Sequence, residues 1–188
     1  TARAVAQSAK DTSSTGFRVK SSEEFTTMEN DLIKVYFTSK GGQPLKVELK
    51  KYASFRDSTV ILGGSDFDKF GYMVRVDGNN ALPVSDLYFA GSGVQKMPDG
   101  SQQISYTAVG SSGEKITHTF TLRNGQYLMD WVARFSGVTK LFKEGGFHLT
   151  WQSRPSQQES DAIYERQMTN ICFLEDNSFD YIQSKSEK

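Results

Sequence analysis

The chain has 188 residues, enough for one large β domain or two small ones, and can bury a core without disulfides or metals. Its 22 basic and 22 acidic residues cancel, which argues against nucleic-acid binding and against attachment to a membrane surface by charge alone. The single cysteine excludes an internal disulfide, and no apolar run reaches the roughly 18–20 residues that a membrane-spanning helix requires.

Polar segments flank one folded region. Residues 1–22 are rich in Ala, Ser, Thr and Lys and have no apolar periodicity, which predicts a flexible linker or tether. Residues 184–188 are equally polar and predict a frayed tail. The chain between them carries no fixed-period repeat, so we expect one domain over residues 23–183.

Alternating apolar residues predict a series of β-strands along this domain. The pattern runs through residues 33–37, 45–49, 70–76 and 104–108. Gly41-Gly42 separates the first two runs and provides the positive φ angles that a tight reversal needs.

The sequence Asn124-Gly125 predicts a hairpin with a two-residue type I′ turn. Such a turn places apolar residues of both strands on one face. The pairs would be Leu122 with Tyr127, Phe120 with Met129, His118 with Trp131, and Ile116 with Ala133.

The C-terminal part predicts a short helix and a last hairpin. Ser156-Gln157-Gln158-Glu159 has the spacing of a capping box and would start a helix that ends near Glu165. Residues 168–174 and 179–182 would pair around Asp176-Asn177. We therefore expect an all-β fold of packed antiparallel sheets, a sandwich or barrel with at most one or two short helices.

No group of residues has the spacing of a known catalytic or metal site. His118 lies on the apolar hairpin face and is expected to pack in the core, whereas alternation directs His148 to solvent or a cleft. Cys172 lies between apolar neighbours and is expected to be a small buried side chain. The sequence lacks a Gly-x-Ser-x-Gly elbow, a phosphate-binding loop and paired Cys or His ligands. We therefore nominate no catalytic, cofactor-binding or metal-binding residue.

Four aromatic residues could stack on a sugar ring: Trp131, Trp151, Tyr72 and Tyr127. The same residues would also serve as core aromatics of a β-sandwich, and we favour that interpretation. It is strongest for Trp131, which the hairpin register assigns to the core.

Three segments, in their order and spacing, resemble the periplasmic domain of YidC membrane insertases. They are residues 28–52, with the Gly41-Gly42 reversal, residues 69–72 and residues 119–127. Residues 164–182 are similar to the Bacteroidetes-type branch of that family. The resemblance covers most of residues 25–182.

The resemblance implies a β-supersandwich similar to galactose mutarotase, at the periplasmic face of the bacterial inner membrane. It implies one spanning helix before residue 1 and several after residue 188, which carry the insertase activity. The intramembrane basic residue of that activity has no counterpart here. The expected function is a non-catalytic accessory domain, without cofactor, that contacts the Sec translocon or nascent membrane proteins.

A carbohydrate-binding or mutarotase-like domain is the alternative, and it rests on fold analogy. A mutarotase mechanism needs an acid and a base beside the sugar ring, which His118 and His148 would have to supply.

Overall fold

The computed structural model describes residues 17, 22–77, 80–142 and 148–183. The predicted linker and tail lie almost wholly outside the described residues, so the domain boundaries remain predictions. The strands are β1 Phe25–Glu29, β2 Ile33–Thr38, β3 Gln43–Ala53, β4 Thr59–Gly63, β5 Lys69–Gly71, β6 Met73–Asp77, β7 Asn80–Pro83, β8 Ala90–Gly91, β9 Gln95–Lys96, β10 Gln102–Val109, β11 Lys115–Leu122, β12 Met129–Ser136, β13 Thr150–Gln152, β14 Asn170–Glu175 and β15 Ser178–Gln183. The α-helices are α1 Val138–Leu141 and α2 Ala162–Met168, and a 3₁₀ helix spans Val84–Asp86.

Within the described ranges, all strand pairs are antiparallel and form five sheets. One sheet has the order β1-β2-β3-β4, and a second has the order β12-β11-β10-β8, with β9 also paired to β10. Three two-stranded sheets pair β5 with β13, β6 with β7, and β14 with β15. The prediction of an all-β fold with few short helices is therefore confirmed.

The two larger sheets pack face to face around one core. Alternate side chains of β2, of β11 and of β10 from Ile104 onward are buried, as the alternation predicted. Phe37 of β2 contacts two rings of the opposite sheet, with centroid distances of 6.1 Å to Tyr106 and 5.1 Å to Phe120. Each sheet thus covers much of the apolar face of the other, and the rings of β2, β10 and β11 form the centre of the core.

The reversal between β2 and β3 depends on its two glycines. Gly41 and Gly42 both have positive φ, at 76° and 54°. A Cβ atom on Gly42 would lie 2.8 Å from side-chain atoms of Phe89 and Tyr106. Only glycine therefore satisfies both the backbone angle and the close approach of the core.

The predicted register of the β11–β12 hairpin is wrong by two residues. Leu122 pairs with Met129, Phe120 with Trp131, and His118 with Ala133, so six residues, 123–128, form the loop. A type I′ turn needs positive φ at both central residues, and only Gly125 has it. A two-residue shift keeps each side chain on its predicted face.

Contacts from a distant turn explain the longer loop. The side-chain amide of Asn30 donates to the carbonyl oxygens of Arg123, at 2.7 Å, and Gln126, at 2.8 Å. The backbone N–H of Gly125 donates to Asp31 Oδ1 at 3.0 Å. The loop backbone is thus held by the β1–β2 turn rather than closed on itself.

The C-terminal hairpin forms as predicted, while the helix before it starts later than predicted. Asp176 and Asn177 have φ of 50° and 62°, the paired positive values of a type I′ turn. Helix α2 begins at Ala162, because Asp161 Oδ1 accepts hydrogen bonds from the N–H groups of Ile163 and Tyr164. Asp161, not Ser156, is the N-cap.

The segment from α2 through β15, which we call the C-terminal arm, lies outside the core. No residue of Ala162–Gln183 is buried, and Leu174 is 74% exposed. Cys172 is exposed, so its predicted burial is wrong. The residues that the structure describes provide no layer that covers either face of this hairpin.

Candidate functional site

An apolar cleft of about 430 Å³ opens between the two larger sheets. Its walls come from β3 and β4 on one side, β11 and β12 on the other, and the small β5–β13 sheet. The apolar lining residues are Leu45, Val47, Leu62, Phe70, Phe120, Met129, Trp131 and Trp151. An apolar cleft with a few polar groups is the usual form of a binding site.

Trp131 lies between the cleft and the core. Its ring makes an edge contact with Phe70, at a centroid distance of 4.8 Å, and stacks on Phe120 at 6.5 Å. Trp131 Nε1 and Gln43 Oε1 are buried, and neither has a hydrogen-bond partner among the described residues. Leaving such groups unpaired costs about 1–3 kcal/mol each. The wall formed by Trp131 and Gln43 is therefore less stable than a fully paired core would be.

Trp151 forms an exposed wall of the cleft. It pairs with Phe70 across the β5–β13 ladder, yet 79% of its surface is exposed. Our expectation that Trp151 is a core aromatic is therefore wrong. The local pattern could not reveal this, because a tryptophan in a short strand has the same pattern whether it packs in the core or borders a cleft.

Hydrogen bonds fix the β13 wall to the loop before β5. Gln152 Nε2 donates to the carbonyl oxygen of Phe67, and the N–H of Arg154 donates to Asp68 Oδ1 at 2.7 Å. Burial acts to raise the pKa of Asp68, but hydrogen bonds from Arg154, Ser65 and Ser153 outweigh it and lower this pKa. The carboxylate thus stays charged and joins the two segments.

His118 is buried in the core, as predicted, and both ring nitrogens are engaged. Nδ1 lies 2.9 Å from the carbonyl oxygen of Gly42, which can only accept, so Nδ1 carries the proton. Nε2 then accepts from the Tyr72 hydroxyl at 2.7 Å. Burial lowers the pKa of His118, against the raising effect of hydrogen bonds to the Gly42 and Gly41 backbone. Burial also raises the pKa of Tyr72.

Of the other residues considered for chemistry, Tyr72 belongs to this network, and Trp131 makes an edge contact with His118 at a centroid distance of 5.5 Å. His148 is exposed, as predicted. Of the four aromatic residues, the cleft brings together only Trp131 and Trp151. Tyr72 is in the core, and Tyr127 contacts Tyr52 in an exposed pair with centroids 6.0 Å apart. Among the described residues, no cluster of His, Cys, Asp and Glu could hold a metal ion.

These features define a class: an all-β sandwich-like domain with an apolar cleft and a histidine engaged in structural hydrogen bonds. No helix in the described part of the chain is long and apolar enough to cross a membrane. The YidC periplasmic domain family matches residues 26–188. The chain therefore belongs to that family.

Curated relatives agree with the family match. The chain is 26% identical to "Membrane protein insertase YidC" of Parabacteroides distasonis over 169 residues, covering 88% of this chain and 26% of the relative. The same-named protein of Bacteroides fragilis strain YCH46 is 27% identical over 172 residues, covering 89% and 26%. The chain thus spans about a quarter of the length of these relatives. No solved structure matches it.

Proposed function

We propose that this domain is a non-catalytic accessory module of a bacterial membrane protein insertase, which acts by contacting the Sec translocon or client segments. The observation that carries the proposal is the family match over residues 26–188, together with relatives named as insertases. The module would lie at the periplasmic face of the inner membrane, with the insertase activity in other parts of the protein.

The state of His118 supports a non-catalytic role. A general base must reach its substrate through a free ring nitrogen. Both nitrogens of His118 are engaged inside the core, by Gly42 and Tyr72. A mutarotase-like mechanism would therefore have to rely on His148 without His118.

The proposal is tested in the full-length insertase that carries this domain. Residues 25–182 are deleted, and recovery of Sec components and insertion of a reporter membrane protein are measured. We expect reduced recovery or slower insertion at equal levels of the insertase. Unchanged recovery together with unchanged insertion would contradict the accessory role.

Carbohydrate binding is a second candidate, which the exposed ring of Trp151 in the cleft favours. Aromatic faces that border a cleft are suited to stacking on sugar rings. Titration of the domain with oligosaccharides, followed by tryptophan fluorescence, tests it, and Trp151→Ala is the variant that must abolish any response.

A further inference from the structure

We propose that the cleft between the two larger sheets binds the acyl chain of one lipid molecule, with the polar headgroup left in water beside Trp151. This inference goes beyond the accessory role proposed above and does not rest on it. Three features of the described residues carry it: an apolar lining built from strand pairs, polar neighbours that are already bonded within the protein, and a volume that suits one hydrocarbon chain.

The apolar lining of the cleft consists largely of cross-strand neighbours. Three pairs contribute to it: Val47–Leu62 in β3–β4, Phe120–Trp131 in β11–β12 and Phe70–Trp151 in β5–β13. Directly opposite side chains of an antiparallel pair lie about 4.5–5.5 Å apart. The edge contact between the rings of Phe70 and Trp131 joins the last two pairs. These two pairs therefore form one continuous aromatic surface, and the Val47 pair adds an aliphatic wall.

Part of this lining is in contact with water. Leu45, Leu62 and Trp151 line the cleft and are all exposed. The favourable free energy of burying apolar surface is proportional to the area that is removed from water. A hydrocarbon group that fills the cleft would cover these three side chains, so its binding is favoured without any polar contact.

One carboxylate engages most of the polar side chains at the β5–β13 end of the cleft. Asp68 Oδ2 accepts from the hydroxyl of Ser65 at 2.7 Å, and Oδ1 accepts from the N–H of Arg154. Ser153 also donates to this carboxylate, and Gln152 Nε2 donates to a backbone carbonyl of the same loop. A ligand hydroxyl or amide would have to compete with these hydrogen bonds.

The remaining polar groups of the lining are paired, buried or turned to water. Lys46 is bound to Glu48, with Nζ 3.3 Å from Oε1. Trp131 Nε1 and Gln43 Oε1 are buried, so a ligand in the open volume does not reach them. Lys69 is exposed, and its ammonium group stays in water. A sugar or a peptide backbone would lose hydrogen bonds to water here without equivalent replacements, a cost that a hydrocarbon chain does not carry.

The size of the cleft suits one acyl chain. An apolar cavity of about 150 Å³ holds the six carbons of benzene, and the cleft volume is about 430 Å³. At that density the cleft has room for about 16 carbon atoms. It can therefore hold one chain of about that length, but not both chains of a phospholipid.

The first test titrates the 188-residue chain with octyl, decyl and dodecyl maltoside, below the concentrations at which they form micelles. Trp131 and Trp151 are the two tryptophans of the sequence and both line the cleft, so tryptophan fluorescence reports on this site. Each added methylene should tighten binding about fourfold, as expected when its surface is removed from water. Maltose, which is the headgroup alone, should give no response.

A quenching experiment determines the direction of the chain. The probes are dodecanoate brominated at the last carbon and dodecanoate brominated beside the carboxylate, because bromine quenches tryptophan on contact. In Trp151→Phe the remaining fluorescence comes from Trp131, which lies toward the core. We expect stronger quenching by the chain-end bromine. Equal quenching by both probes, or stronger quenching by the bromine beside the carboxylate, would contradict insertion of the chain end.

Three matched variants separate the cleft from other apolar surface. Leu62→Asp places a charge on the cleft wall and should weaken the binding of dodecyl maltoside at least tenfold. Leu128→Asp, outside the cleft, and Leu174→Asp, in the C-terminal arm, should leave binding unchanged. All three leucines are exposed, so each variant is expected to fold, which circular dichroism checks. An equal loss in Leu174→Asp would assign the binding to the arm and overturn the proposal.

Three further outcomes would overturn the proposal. They are no response to dodecyl maltoside, equal affinity for the three chain lengths, and a response to maltose as large as that to dodecyl maltoside. The last would assign the cleft to sugars, and binding of a lysine-flanked leucine peptide in the absence of any alkyl maltoside binding would assign it to polypeptide segments. None of these outcomes affects the accessory role, because that role is measured in the full-length insertase.

Discussion

The hairpins β11–β12 and β14–β15 are built alike, but their side chains lie in different surroundings. Both are antiparallel, regular and rich in alternating apolar residues. In the first, Phe120 is 1% exposed and faces a second sheet, whereas in the second Leu174 is 74% exposed. Local sequence is therefore enough to form a hairpin, but a covering layer decides whether the hairpin contributes to a core.

The arm is apolar on both faces, which distinguishes it from an ordinary surface hairpin. Cys172, Leu174, Phe179 and Tyr181 share one face, while Ile171 and Ile182 lie opposite each other on the other. A solvated sheet normally has one polar face. The arm thus has the composition of a strand pair that is covered on both sides, and its isolated hairpin would be marginal in water. The following predictions compare the arm with the body formed by residues 22–142.

The largest difference in stability between the body and the arm is expected when one phenylalanine in each is replaced by alanine. Phe37→Ala removes a fully buried ring that contacts Tyr106 and Phe120, and should lower the free energy of unfolding by about 3–5 kcal/mol. Phe179→Ala, at a ring that is 66% exposed in the arm, should change it by less than about 0.5 kcal/mol. Urea unfolding measures both. Equal losses would mean that the arm is part of the cooperative core.

Two asparagine substitutions, one in the body and one in the arm, compare the polar contacts of the two regions. The side chain of Asn30 is buried and makes four hydrogen bonds, accepting from Leu32 and Ile33 and donating to Arg123 and Gln126. Asn30→Ala leaves these backbone groups unpaired and should cost about 2–3 kcal/mol.

The control is Asn170→Ala in the arm, where the side chain makes one exposed hydrogen bond, to the Met168 carbonyl. It should cost less than about 0.5 kcal/mol. Amide exchange across residues 123–128 provides the sharper measurement, because Asn30→Ala should accelerate it. Unchanged exchange in that loop would contradict its attachment to Asn30.

The free energy of unfolding is expected to depend on pH through His118, which lies in the body. Its pKa is lowered by burial, so below about pH 6.5 the unfolded chain binds a proton that the folded chain does not. The free energy of unfolding should therefore be constant above this pH, and decrease by up to about 1.4 kcal/mol per pH unit as pH falls toward the folded-state pKa. His118→Gln should remove this decrease, measured by thermal unfolding across pH, while the exposed His148→Gln should retain it. A decrease that persists in His118→Gln would assign it to other groups.

The smallest perturbation is chemical labelling of the single thiol. Cys172 is exposed in the arm, so a maleimide should react with the folded protein at nearly the rate seen for the urea-unfolded protein. Mass spectrometry measures the rate. Strong protection would show that the arm is covered in solution, and would contradict its exposure relative to the body.

The strand pattern and the turns at Gly41-Gly42 and Asp176-Asn177 could be predicted because each depends on residues that are adjacent in sequence. The register of β11–β12 could not, because Asn30 and Asp31 hold its loop from more than 90 positions away. The cleft was missed for a similar reason. Its walls come from six strands, and only the pairing of Trp151 beside Phe70 shows that this tryptophan borders a cleft.

The sequence by itself determined the all-β class, the alternating faces and the family, since periodicity, turn chemistry and motif order are properties of the chain. Tertiary structure alone decided which apolar faces are covered. The β11 face is buried because β2 packs opposite it, whereas no described residue covers the arm. Burial depends on which layers meet, so in the arm the same alternation of residues that builds a core leaves an apolar surface exposed.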